Sequence, residues 1–191
     1  MLEQWFTTPI YYSLVDNIDS IQDEIGSVIN QINFSKKLEW GSKNHSLSDP
    51  TFSENIISKY DMFNFENELM SHIEKLISET TGKVGVKSRV FSSWVTNTKY
   101  GEYTTVHNHA GADISGVYYY KTNQHDGDIY FMNPNLASQQ TPWFGRLDSI
   151  NHSPSVGKIL LFPSWLLHGV RTNETGDERI SLAFNLKVDW I

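Results

Sequence analysis

The spacing of apolar residues changes at Gly82, and that change limits the possible fold more than any other feature of the chain. Before it the spacing is helical. From Asp16, a suitable N-cap, Ile18, Ile21, Ile25, Val28 and Ile32 recur on one helical face. A polar, Gly-containing stretch, KLEWGSKNHSLSDP, reads as a loop, and a second periodic set follows: Met62, Phe65, Leu69, Ile73, Leu76 and Ile77, closed by Thr80-Thr81-Gly82. Beyond Gly82 the runs VKSRVFSSWV, YTTVHNH, ISGVYYYK, GDIYFM, GKILLFP and ERISLAFNLKV are short, β-branched and aromatic, and are divided by Gly, Asn, Asp and Pro. Helices first and short strands afterwards predict a mainly β fold, an antiparallel sandwich with N-terminal helices packed on one outer face. At 191 residues the chain is expected to be one domain, with 1–82 as mostly helical support and 83–191 as the β-sandwich core.

The final run is the clearest. Ile180, Leu182, Phe184, Leu186 and Val188 alternate with Arg179, Ser181, Ala183, Asn185 and Lys187. On a strand the first set leaves one face and packs on the core or helices, while the second leaves the other. If that other face lines a cavity, Arg179 and Ser181 look into it.

Composition removes several classes of function. The absence of cysteine excludes disulfides, thiolate metal sites and Cys nucleophiles, so any transition metal must be held by nitrogen and oxygen ligands. A net charge of −7 argues against a nucleic-acid partner bound chiefly through phosphates. The N-terminal MLEQWFTTPIYY lacks the basic start and apolar run of a signal peptide, and no apolar stretch is long enough to span a bilayer. A cytoplasmic location, with no membrane partner, is therefore the expectation.

Metal chemistry is suggested by the histidines. His107 and His109, two apart in a β-like run, leave the same face of a strand, as two ligands of one metal must. Two solvent-facing histidines at a strand end would look the same. Asp113, four residues further, is a carboxylate that either folds back as a ligand or simply serves its Gly-containing turn. His168 lies in LLFPSWLLHGVR, where a lone His would usually be a hydrogen-bonded core residue. Together, two histidines on an early strand and one on a late strand are what a jelly roll brings to one mouth. Facial triads of two His and one carboxylate serve Fe(II) oxygenases. Arg179 offers a planar fork suited to a carboxylate and Ser181 a further hydroxyl, so an inward-facing pair would anchor a dicarboxylate cosubstrate. An exposed strand-end Arg is the plainer alternative.

In order, HNHAGADISGVYYY, GDIYFMNP, GKILLFPSWLLHGV and ERISLAFN, from about Trp94 to Asn185, resemble a family of 2-oxoglutarate- and Fe(II)-dependent oxygenases related in fold to prolyl hydroxylases. The resemblance implies a double-stranded β-helix (a cupin-like jelly roll) and a dioxygenase that uses Fe(II), 2-oxoglutarate and O2 to hydroxylate a C–H bond of a small-molecule or peptidyl substrate. It also implies His107 and His168 as metal ligands, Arg179 and Ser181 as the R-x-S pair for the far carboxylate of 2-oxoglutarate, and Tyr118 or Tyr120 as a further hydrogen bond to it. The first family motif ends in Asp or Glu, whereas here its third residue is His109. Three ligand sets stay open: His109 itself completes the site, Asp113 supplies a carboxylate from the next loop, or His109 and His168 act alone. The rival function is a cupin-like metal enzyme, a three-His dioxygenase or an isomerase, that never uses 2-oxoglutarate; a non-catalytic binding sandwich is a third. Trp94, Trp143 and Trp165 could line a substrate cleft, although such aromatics are usually core. Exposed aromatics would permit a homodimer.

Overall fold

In the computed structural model, which describes residues 7–135 and 148–189, the order begins β1 (Tyr11–Leu14), α1 (Ile18–Ile29), β2 (Ser35–Lys36), a 3-10 turn at Leu38–Trp40, β3 (Ser46–Leu47), α2 (Ile56–Lys59) and α3 (Phe63–Thr81). It continues with β4 (Ser88–Thr98), β5 (Thr104–His107), β6 (Ile114–Lys121), β7 (Ile129–Met132), β8 (Ser149–His152), β9 (Lys158–Pro163), β10 (His168–Val170) and β11 (Arg179–Val188). Trp143 lies outside the described residues.

The two long helices form where the apolar spacing predicts them. Ile21, Ile25 and Val28 make the buried stripe of α1, and Phe65, Leu69, Ile73, Leu76 and Ile77 that of α3. α3 stops at Gly82, which takes the left-handed conformation at φ 71° that favours glycine. The start of α1 differs by one residue from the sequence expectation. Asn17 occupies the N-cap without a side-chain capping bond, while the Asp16 backbone N–H donates to Glu68 Oε1 at 2.8 Å, tying the start of α1 to α3.

Two sheets, antiparallel at every pairing, build a double-stranded β-helix, the fold expected from the sequence. The larger has the order β1-β9-β6-β11-β4-β3-β2 and the smaller β5-β10-β7-β8. Strands β1, β2 and β3 come from the first 82 residues and extend both edges of the larger sheet, so that region is more than helical support. They are two to four residues long, too short to show periodicity.

The helices cover the outer face of the larger sheet. Ile21, Ile25, Phe65, Leu69 and Ile73 share one core with Ile159, Leu161, Leu182 and Phe184. Each such side chain contributes about 1.5–3 kcal/mol when fully buried. The inner faces meet in a smaller core of Ile129, Phe131, Leu160, Phe162 and Leu166. That core fills only part of the space between the sheets and leaves a cavity of about 880 Å³. Among the described residues no helix is long and apolar enough to cross a membrane.

Candidate metal centre

β5 and β10 pair antiparallel with His107 directly opposite His168. Directly opposed side chains on one face are close neighbours by construction, and the two imidazole centroids are 4.4 Å apart. His109 follows β5 by two residues. Its backbone N–H donates to the Ser164 carbonyl just after β9 at 3.0 Å, which draws the His-Asn-His turn onto the larger sheet. Its ring lies 4.9 Å from His107 and 5.1 Å from His168. The possible ligand atoms of the three residues all lie within 4.8 Å of one another.

Local hydrogen bonds fix which ring nitrogens face inward. His107 Nδ1 lies 2.8 Å from the Thr105 carbonyl and His168 Nδ1 lies 2.9 Å from the Leu166 carbonyl. A carbonyl only accepts, so in both rings Nδ1 carries the proton and Nε2 keeps its lone pair, the arrangement that orients histidine ligands. Burial keeps the rings neutral. It lowers His107, and with the neighbouring His107 it pushes His109 down to about 4; burial, His107 and His109 push His168 down to about 3. Three neutral nitrogen donors converging from a strand pair and its following turn fit a divalent transition metal.

Asp113 does not join them. Its carboxylate accepts the Val188 backbone N–H at 2.9 Å and lies 3.8 Å from Lys187 Nζ, at the far end of β11. It fastens the loop after His109 to the last strand.

Arg179 and Ser181 face the cavity on β11, as the alternation predicts, and both line it together with the three histidines. Arg179 is buried, at 2% exposure. Its Nη1 donates to the carbonyls of Asp126 at 2.9 Å and Gly127 at 2.6 Å, and its Nη2 to Thr98 Oγ1 at 3.1 Å. These bonds aim the fork but do not neutralise it, because among the described residues no carboxylate pairs with it. The Asp126 carboxylate is turned away to Thr122 Oγ1 and the Asn123 N–H. An unpaired buried guanidinium is costly unless an anion joins it. Ser181 Oγ is 2.7 Å from Thr96 Oγ1 across the β11–β4 pair, so two hydroxyls sit beside the Arg.

The tyrosine expectation needs correction. Tyr118 and Tyr120 do leave one face of β6, but it is the face under the helices: Tyr118 packs on Phe65, receives a hydrogen bond from Gln22 Nε2 at 3.0 Å, and belongs to the helix-side core, with Tyr120 packed against it. Tyr119 lines the cavity instead, and burial raises its phenol. Three consecutive tyrosines give no polarity signal to say which face is which. The Ser181↔Tyr119 pairing, beside a register shift, is what places Tyr119 next to the R-x-S pair. His45, buried against Thr104 Oγ1 at 2.9 Å, and Thr98 also escape a sequence reading, because their partners lie more than fifty residues away.

Residues 92–185 match the family described as "Putative 2OG-Fe(II) oxygenase". No curated protein matches the chain. Among solved structures, a 2OG-Fe(II) oxygenase-family oxidoreductase from Burkholderia pseudomallei is similar with TM-score 0.65 at 9% identity, covering 92% of this chain and 84% of that one. HygX from Streptomyces hygroscopicus, with nickel and 2-oxoglutarate bound, gives 0.63 at 12% identity over 94% and 83%. A Pseudomonas putida prolyl-4-hydroxylase gives 0.60 at 13% identity over 95% and 94%. At such identities the structural likeness speaks for the fold.

Proposed function

The chain belongs to the 2-oxoglutarate- and Fe(II)-dependent oxygenases, and on that premise we propose that His107, His109 and His168 hold the iron while Arg179 and Ser181 hold the far carboxylate of 2-oxoglutarate. The observation that carries this assignment is the buried Arg179, which lacks a carboxylate partner among the described residues and lines the same cavity as the three-histidine cluster. A cupin-like enzyme without 2-oxoglutarate would need another anion to meet it.

Bound there, Fe(II) with O2 and 2-oxoglutarate supplies the oxidising power: the cosubstrate ends as succinate and CO2, and one oxygen atom enters a substrate C–H bond. The chain's own residues bind, orient and exclude. His107 and His168 present Nε2 because Thr105 and Leu166 hold Nδ1–H. Arg179, anchored by the carbonyls of Asp126 and Gly127, presents its remaining donors to a carboxylate, and Thr96 and Ser181 add hydroxyls. Tyr119 stays protonated beside them. Phe162 and Phe131 stand 4.6 Å and 6.0 Å from the His168 ring and keep water from that side. No side chain has to act as a general base, and among the described residues none lining the cavity is a carboxylate. The substrate is a small molecule or a peptide side chain.

Incubation of the iron-loaded protein with 2-oxoglutarate in air tests the assignment. Succinate should form slowly even without substrate, and Arg179→Ala should suppress it while iron still binds. A wild-type protein that binds iron but never yields succinate would contradict the 2-oxoglutarate assignment.

A further inference from the structure

This inference rests on the oxygenase reading and concerns the part of the cavity that 2-oxoglutarate at Arg179 would leave open. The whole chain carries 22 acidic and 15 basic residues, so an even scatter would put acids in the majority around any cavity. The opposite is found. Among the described residues lining this one there is no Asp or Glu, while Lys37 and Arg179 both take part. Such a cavity, with low-dielectric walls and one sign of charge, concentrates anions. Arg179 accounts for the cosubstrate; Lys37 remains to be explained.

Between Lys37 and the histidines runs a wall of rings. Lys37 Nζ lies 4.9 Å from the Trp40 ring centroid and 5.0 Å from that of Phe52. Trp40 and Phe52 are 5.3 Å apart, Phe52 meets Trp94 edge-on at 5.0 Å, and Trp94 lies 5.7 Å from His109. Phe52 is held there against its own backbone preference, at φ 55°, a conformation that is a true outlier for a bulky residue. The Asp49 carboxylate enforces it by accepting the backbone N–H groups of Thr51, Ser53 and Glu54 at 2.8, 2.8 and 3.0 Å. Strain of this kind persists where the surroundings over-determine it, and it gathers at ligand clamps. Among the described residues the acid paired with Lys37 is Glu39, at 4.0 Å and 82% side-chain exposure, too wet to cancel its charge.

We propose that Lys37, Trp40, Phe52 and Trp94 form the primary-substrate subsite, and that it takes a small organic anion with a planar ring. The ring lies along the aromatic wall with its C–H bonds toward His109, and the anionic group meets the Lys37 ammonium.

The test uses the full protein loaded with Fe(II) and 2-oxoglutarate without oxygen, titrated calorimetrically with three ring-matched probes: 2-naphthoate, 2-naphthamide and 2-naphthylmethylammonium. Naphthoate should bind about tenfold tighter than the amide, with the cation weakest. Lys37→Met should erase the difference between acid and amide. Phe52→Gly should weaken all three by about fivefold, with the relief of φ 55° offsetting part of the ring packing lost against Trp40 and Trp94. Equal affinity for the three probes, no saturable naphthoate binding, or a Lys37→Met protein that keeps the preference would each overturn the subsite. The visible absorption band of the Fe(II)–2-oxoglutarate complex, recorded in the same samples, separates the two claims. Its absence would overturn the oxygenase assignment itself, whereas its presence without an anion preference would overturn the subsite alone.

Discussion

At the scale of single residues, Arg179 is the most consequential side chain, because its charge is buried and its protein partners are carbonyls and a hydroxyl. Arg179→Ala should raise the Kd for 2-oxoglutarate by about 10–100-fold, the range for losing a charged hydrogen-bonded pair, while leaving the iron Kd near wild type; separate titrations of each ligand measure this. The histidines make the apo fold sensitive to acid. His45 and His109 are pushed down to about 4 and His168 to about 3, chiefly by burial, from a usual value of 6.5. Between these values the unfolded chain binds more protons than the folded one, so stability is full above about pH 6.5 and is lost as pH falls through about 4 for His45 and His109 and about 3 for His168. Thermal melts of metal-free protein at a series of pH values should show this fall. A melting temperature that is flat across that window would contradict it.

At the scale of elements, β11 separates stability from binding by its two faces. Leu182→Ala opens the helix-side core and should cost about 2–5 kcal/mol in denaturant unfolding. Ser181→Ala, one residue away, should weaken 2-oxoglutarate binding with little loss of stability. Gly127 belongs to the same device. With φ at 103°, a Cβ there would collide with the Arg171 carbonyl oxygen and crowd Arg179 Nη1 at 3.1 Å, so Gly127→Ala should lower both the melting temperature and 2-oxoglutarate affinity. What the sequence makes legible follows from the same alternation. Ile180 to Val188 announce one apolar face and so put Arg179 and Ser181 on the other; that this other face lines a cavity comes only from the packing of the two sheets. Tyr118 to Tyr120 announce nothing, since every position is aromatic, and the helix-side pair cannot be told from the cavity-side residue. β1 to β3, and β10 within the apolar run around His168, are too short for periodicity; pairing with distant strands creates them. The bond from Asp113 to Val188 is equally distant in sequence, which is why a nearby carboxylate could look like a ligand.

At the scale of the whole molecule, the proposed metal centre would act as a cross-link. β5 and β10 are bridged by the His107 and His168 pair, and the turn bearing His109 is tied to the larger sheet, so iron would clamp both sheets of the double-stranded β-helix at its open end. Saturating Fe(II) should therefore raise the melting temperature by about 5–10 °C, reversibly with chelator, as expected for a ligand at about 100 times its Kd. More narrowly, a third imidazole is proposed as the ligand where the family motif has a carboxylate, with Asp113 tied instead to β11. An anaerobic titration of Fe(II) and 2-oxoglutarate, read by the visible charge-transfer band, tests it in three proteins. The band should appear in wild type and in Asp113→Ala and be lost in His109→Ala. A band that survives His109→Ala and vanishes in Asp113→Ala would contradict the three-histidine centre.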